Sequence, residues 1–167
     1  MKLGIMSDSH GHVQPVRQAL QLLDEAGADT FIHCGDVGGM EVIDELAGRR
    51  GWFVWGNTDI VDERWRRQVE ALGLPWPNGG LELTLAGKHI AVFHGHEREF
   101  GRTLHAAKHD YLLHGHSHRR THYHQGTMQV INPGALHRAS VKSVALLDLD
   151  TDQVQFIEIE RARSSSE

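Results

Sequence analysis

Cysteine is almost missing from this chain: Cys34 is the only one among 167 residues. No intramolecular disulfide and no thiolate cluster can form, which suits a reducing compartment. Long apolar runs are missing too. No stretch approaches the roughly 18 residues that a membrane span needs, and the apolar-leaning start, Met1 to Asp8, is too short for a signal peptide. The expectation is a soluble, cytoplasmic protein with no membrane partner. Positive charge is in short supply, with 17 Lys plus Arg against 22 Asp plus Glu and a formal net charge of −5. That argues against a broad phosphate-tracking surface, and so against extended nucleic acid as a partner. Internal repeats and low-complexity segments are lacking, apart from a polar, Ser-rich tail at 161–167, where a flexible end is expected.

What is present is histidine, 14 residues of it, nearly as many as the Lys and Arg combined. Neutral imidazole is a common transition-metal ligand near neutral pH, so this excess calls for a metal site. The length fits one domain, taken as residues 1–160, large enough to bury a core without covalent staples.

The first half reads as alternating strand and helix. Residues 2–6 form a short apolar run. Val13 to Ala26 carries Val16, Ala19, Leu20 and Leu23 at helical steps, with Pro15 near its start and Gly27 just past its end. Thr30 to His33 is a strand, Met40 to Ala47 a helix and Trp52 to Trp55 a strand. This order predicts a parallel sheet. The second half predicts hairpins at Leu81–Leu85 with His89–His94, at Thr121–His124 with Thr127–Ile131, and at Lys142–Asp148 with Val154–Ile159. A helix is expected over Phe100–Lys108 and a strand over Tyr111–His114. Residues 59–78, with Trp65, Trp76 and an Arg64-Trp65-Arg66-Arg67 cluster, are expected to be irregular or short-helical and to pack aromatics or meet a partner subunit, making a homodimer plausible.

Five polar blocks stand where strands should end: Asp8-Ser9-His10, Gly35-Asp36, Gly56-Asn57, His94-Gly95 and Gly115-His116-Ser117-His118. In open α/β sheets ligands collect beyond the carboxyl ends of the strands. Residues two apart on an extended chain face one way, so Asp8 with His10 and His116 with His118 can each act as a pair.

Taken in this order, the blocks resemble those of the calcineurin-like metallophosphoesterases, and Asn132-Pro133-Gly134-Ala135 resembles an Asn-Pro-Gly-Ser segment of the small single-domain phosphodiesterases of bacteria and archaea. The likeness runs from Met1 to about Ile159. It implies an α/β fold of two facing mixed sheets flanked by helices, a four-layer sandwich. It also implies that Asp8, His10, Asp36 and His118 hold one metal, that Asp36, Asn57, His94 and His116 hold a second, and that Asp36 bridges them. Ligands of this mixed oxygen and nitrogen character suit two divalent transition-metal ions, manganese first, with iron, zinc, nickel or cobalt as alternatives.

Two divalent cations outweigh two carboxylates even with a shared hydroxide, so the site would draw a small phosphate ester into an acidic protein. The hydroxide would attack phosphorus in line, hydrolysing phosphodiesters or activated esters. Many members of the superfamily have His directly after the Asn, where it is thought to help protonate the leaving group. Thr58 stands there in this chain and is a poor general acid. His12 and His96 are the remaining candidates for that proton, and Asp59 for orienting a ligand from behind. Trp55 is a candidate for stacking on a base or aryl ester, and His33 for a core role. The competing expectation is a catalytically weak, protein-binding scaffold of the same fold, like the small subunit of retromer.

Overall fold

The computed structural model describes residues 1–160. The expected tail lies outside them. The first sheet contains β1 (Lys2–Met6), β2 (Thr30–His33), β3 (Gly51–Phe53), β9 (Lys142–Asp148) and β10 (Gln153–Ile159), in the order β10-β9-β1-β2-β3. The three early strands run parallel, and the late hairpin joins β1 antiparallel. The second sheet contains β4 (Leu81–Leu85), β5 (Lys88–Val92), β6 (Tyr111–Leu113), β7 (Thr121–Gln125) and β8 (Met128–Asn132), in the order β4-β5-β6-β8-β7. Its centre, β5-β6-β8, is parallel and its edges are antiparallel.

Alternation along the strands sorts the core into layers. Leu3, Ile5, Ile32, Ala145 and Leu147 of the first sheet pack against Ile90, Val92, Leu113 and Ile131 of the second. The opposite face of the first sheet, with Met6, Phe31, Phe53 and Leu146, lies under α1 (Val13–Glu25), α2 (Met40–Asp44) and α3 (Glu63–Ala71). The outer face of the second sheet, with Ala91, Leu112 and Val130, is covered by Phe100 and Leu104 of α4 (Arg98–Ala106). Strands covered on both faces can read as near-continuous apolar runs, which is why β1 stood out in the sequence. The expected four-layer α/β sandwich is the observed architecture.

Departures are local. The helix expected to Ala47 ends at Asp44, because Leu46 and Ala47 donate three residues back, to Ile43 and Asp44, which tightens the chain into turns. The strand expected over Trp52–Trp55 spans Gly51–Phe53. Residues 59–78 contain a nine-residue helix, α3, capped by Asp62, whose carboxylate accepts from the amides of Arg64 and Trp65. The α4 helix starts two residues earlier than expected, at Arg98. No described helix is long and apolar enough to cross a membrane.

Candidate metal centre

The loops after β1, β2, β3, β5 and β6 meet at one end of the sandwich. Backbone bonds fasten the first two together: Asp8 donates to Gly35, His10 to Asp36 and Gly11 to Val37. Across the sheets, the Gly115 amide donates to the His94 carbonyl and the His116 amide to Asp8 Oδ2, 3.2 Å away. Asp59 accepts from the amides of Val37, Gly38 and Gly56, fixing the β3 loop to the β2 loop. It holds backbone and not a ligand side chain, so whatever it orients, it orients through the loop.

Two glycines permit the approach. A Cβ on Gly56 would lie 2.0 Å from Asp36 Oδ1, and one on Gly35, at φ +93°, would lie 2.7 Å from His94 Nδ1. Only a residue without a side chain fits at either place.

The side chains converge. Donor atoms of Asp8, His10, Asp36 and His118 all lie within 4.8 Å of one another. His118 Nε2 is 3.2 Å from Asp8 Oδ1, and His10 Nε2 is 3.6 Å from Asp36 Oδ2 and 3.4 Å from His118 Nε2. Ligands that each sit about 2.0–2.2 Å from one ion must be roughly 3–4 Å apart, which is the spacing found. A second group adjoins it through Asp36. His94 Nε2 is 3.2 Å from Asp36 Oδ2, the His94 and His116 rings are 5.1 Å apart, and His116 Nδ1 lies 3.1 Å from Asn57 Oδ1.

Two buried polar atoms in this cluster lack a hydrogen-bond partner, Asp8 Oδ1 and His94 Nε2. Buried polar groups are ordinarily satisfied, so such orphans need an explanation. The other atoms of the same side chains are satisfied. Ser7 Oγ donates to Asp8 Oδ2 at 2.7 Å, and His94 Nδ1 donates to the Cys34 carbonyl at 2.8 Å. The latter bond fixes the tautomer and leaves the Nε2 lone pair facing the cluster. These residues fit a divalent cation: Asp8 and His94, each anchored through one polar atom, turn the other toward the same small space as the His10, Asp36 and His118 donors.

The electrostatics agree. Burial pushes the Asp8 carboxyl above its ordinary range, with only part of that offset by Ser7 and the histidines. Burial also opposes ionisation of Asp36, but the nearby His94 ring and the bonds from Thr58 outweigh it and hold that carboxyl well below the usual carboxylate range. His10 is lowered by burial against the pull of both carboxylates. Burial lowers His94 as well, but the adjacent Asp36, the Cys34 carbonyl and the charge of Asp8 raise it above the ordinary value. The pocket therefore concentrates negative potential and favours positive charge at its centre.

Backbone strain concentrates here. Asp8, His10, Asp36, His116 and His118 all have φ between +46° and +70°. Each such non-glycine residue costs on the order of 1 kcal/mol or more, and the pattern is typical of functional sites.

His33, expected in the core, is buried and ties the loops from beneath. The Gly35 amide donates to its Nδ1, and its Nε2 faces Ser9 Oγ at 2.9 Å, which in turn donates to the Val37 carbonyl. Burial holds it neutral, lowered to about 3. Glu97 accepts from the amides of His94 and Gly95, and Asn132 donates to the Gly115 carbonyl and to Ser117 Oγ. No spacing in the sequence announced Glu97. His12 stacks on His137 at 3.8 Å, and His96 lies 5.5 Å from the His94 ring and 6.2 Å from His116. The expectation for Trp55 needs correction: it packs against Phe53, Trp65 and Trp76 in the layer under the helices, where apolar burial holds its ring. Cys34 is buried and its thiol is pushed well up by that burial, which makes it inert.

The family model for the calcineurin-like phosphoesterase superfamily domain matches residues 1–152. The chain belongs to that superfamily. As a member it is a phosphoesterase, a hydrolase by class. It is 25% identical over 168 residues to phosphodiesterase MJ0936 of Methanocaldococcus jannaschii, covering 96% of this chain and all of that protein. Among solved structures, a novel archaeal phosphodiesterase superposes with a TM-score of 0.84 at 24% identity, over 95% of this chain and all of the other. Vps29 of Entamoeba histolytica in complex with zinc superposes at 0.66 with 19% identity, over 95% of this chain and 98% of the other.

Proposed function

We propose that this phosphoesterase uses two divalent transition-metal ions, manganese foremost, to hydrolyse phosphodiesters or activated phosphate esters. The observation that carries the reading is the pair of orphaned buried atoms, Asp8 Oδ1 and His94 Nε2, on two side chains whose other polar atom is anchored. Asp8, His10, Asp36 and His118 would hold one ion, and Asp36, Asn57, His94 and His116 the other. Such ions supply Lewis acidity when bound, acidifying water and neutralising charge on phosphate oxygens.

The protein's own contribution is orientation. Asp36 Oδ1 is held by the Thr58 amide at 3.0 Å, which reserves Oδ2 for the space shared by His10 and His94. His94 is locked from behind by Cys34. Water adds to phosphorus and an alcohol leaves, and that alcohol needs a proton. Thr58 cannot supply one at neutral pH, so esters with acidic leaving groups are favoured. For other esters, His12 and His96, one on each flank of the cluster, would be the candidates to supply the proton.

The test is hydrolysis of bis-p-nitrophenyl phosphate by chelated protein with and without added Mn²⁺. Turnover restored by metal supports the proposal. Metal bound tightly with no turnover under Mn²⁺, Fe²⁺, Zn²⁺, Ni²⁺ or Co²⁺ overturns it and favours the scaffold reading, which the likeness in fold to Vps29 keeps open.

A further inference from the structure

The cluster continues outward on one flank. From His118 the rings step to His10 at 5.3 Å, to His137 at 5.8 Å, and to His12, stacked on His137 at 3.8 Å with planes 14° apart. His137 and Arg138 belong to the β8–β9 loop, and that loop is built rather than slack. The amide of buried Leu136 donates to the Ser7 carbonyl, and Ser143 Oγ donates to the Pro133 carbonyl. Arg138 is exposed and itself adopts a left-handed backbone, φ 55°, the conformation of five residues in the cluster. Arg17, Arg49, Arg64 and Arg120 each pair with a carboxylate; among the described residues Arg138, like several other arginines, pairs with none.

Arg138 and Lys142 lie close enough to His137 to act on it electrostatically, beside the His10 and His12 rings. Arg138 also acts on His10. An unpaired guanidinium and two imidazoles beside a phosphate-handling cluster lack one thing, an anion. A guanidinium fork matches phosphate oxygens in geometry as well as charge.

We propose that Arg138, His137 and His12 form a subsite for a second phosphate of the substrate, so that the preferred esters carry at least two linked phosphates. This rests on the phosphoesterase reading above for its catalytic half only. The reacting phosphate sits in the Asp8–Asp36 cluster, and its neighbour in the chain lies along the imidazole run with Arg138 on its oxygens.

Steady-state kinetics of the Mn²⁺-loaded protein test this, using bis-p-nitrophenyl phosphate, with one phosphate, and diadenosine tetraphosphate, with four. Arg138→Gln is expected to raise KM for the tetraphosphate by about tenfold more than for the diester, the scale of one charge-assisted contact. Arg138→Lys should recover part of that difference. Calorimetric titration of tripolyphosphate into the chelated protein gives a readout independent of turnover, and Arg138→Gln should weaken it by a similar factor. Equal KM shifts for both substrates overturn the subsite. So does a wild type that binds tripolyphosphate no more tightly than Arg138→Gln does. If the wild type hydrolyses neither substrate with any metal, the catalytic reading fails while the titration still decides the subsite.

Discussion

The two halves of the candidate centre differ in how far the protein has finished them. Asp8, His10, Asp36 and His118 are buried or half-buried, with four donor atoms inside 4.8 Å. In the other half His94 is fully buried, but Asn57 and His116 are exposed and hydrogen-bonded to each other. The first group leaves a buried oxygen unpaired at Asp8, whereas the exposed members of the second satisfy themselves without a cation. Each half gives up one hydrogen bond between ligand atoms before it can bind, His10 to His118 in the first and His116 to Asn57 in the second, but the first is the more buried and has its four donors already gathered. This ranks the affinities: the Asp8 side should load first and hold longest.

The largest effect belongs to the residue common to both halves. Asp36→Asn keeps an oxygen for the Thr58 amide, so the loop stays anchored and the melting temperature should move little. Activity should fall by roughly three orders of magnitude or more, since several kcal/mol of charge stabilisation goes with the carboxylate. A variant with more than a tenth of wild-type kcat would remove Asp36 from the centre.

The comparison itself is broken or sharpened by Asp8→Asn against His116→Ala. Isothermal titration of the chelated protein with Mn²⁺ should show the tighter equivalent weakened by roughly a hundredfold or more in Asp8→Asn, above the loss typical of outer partners. In His116→Ala the tighter equivalent should survive and only the weaker one suffer. If both variants lose the same equivalent, the two halves are one site and the ranking is wrong.

Much of this was legible in the sequence because it rests on short-range signals. The buried β1 prints as a short apolar run, and the polar blocks follow β1, β2 and β6 closely, so these strands and the residues after them could be placed together. The helix α3 was hidden: Arg64, Arg66 and Arg67 mask its apolar face, which buries only Val69, although the Asp62 cap was there to be read. What could not be read is long-range. His33 finds Ser9 across 24 residues of sequence and His116 finds Asp8 across 108. The left-handed backbones of Asp8, His10 and Asp36 are imposed by bonds between the β1 and β2 loops, which no local propensity encodes. The pairing of His12 with His137, and the placing of Arg138, depend on the β8–β9 loop meeting the end of β1.

A smaller effect is expected where the loops are held from outside. Asn132 is fully buried and spends its amide on the His116–His118 loop and its oxygen on the Gly134 amide. Asn132→Ala should reduce metal affinity by roughly 10- to 100-fold and stability by about 1–3 kcal/mol. Because that loop serves both halves, with His118 in one and His116 in the other, both equivalents should weaken together. Loss confined to one equivalent would show that the loop's two histidines are positioned independently.

At neutral pH the smallest effect is at His33, beneath the loops after β1 and β2. Folding excludes a proton from this ring, lowering it to about 3 by burial, so the unfolded chain binds the extra proton. Its contribution is complete above the unfolded value near 6.5, declines as pH falls through that value, and levels off below about 3. Within that window the slope is about 1.4 kcal/mol per pH unit for one proton. His33→Gln cannot titrate there, so urea unfolding of the chelated variant between pH 7 and 4.5 should be flatter than wild type by that slope. Parallel curves would mean that His33 takes up its proton in the folded state. It would then break its bond from the Gly35 amide, and the preorganisation credited to the first half would not extend to the loops beneath it.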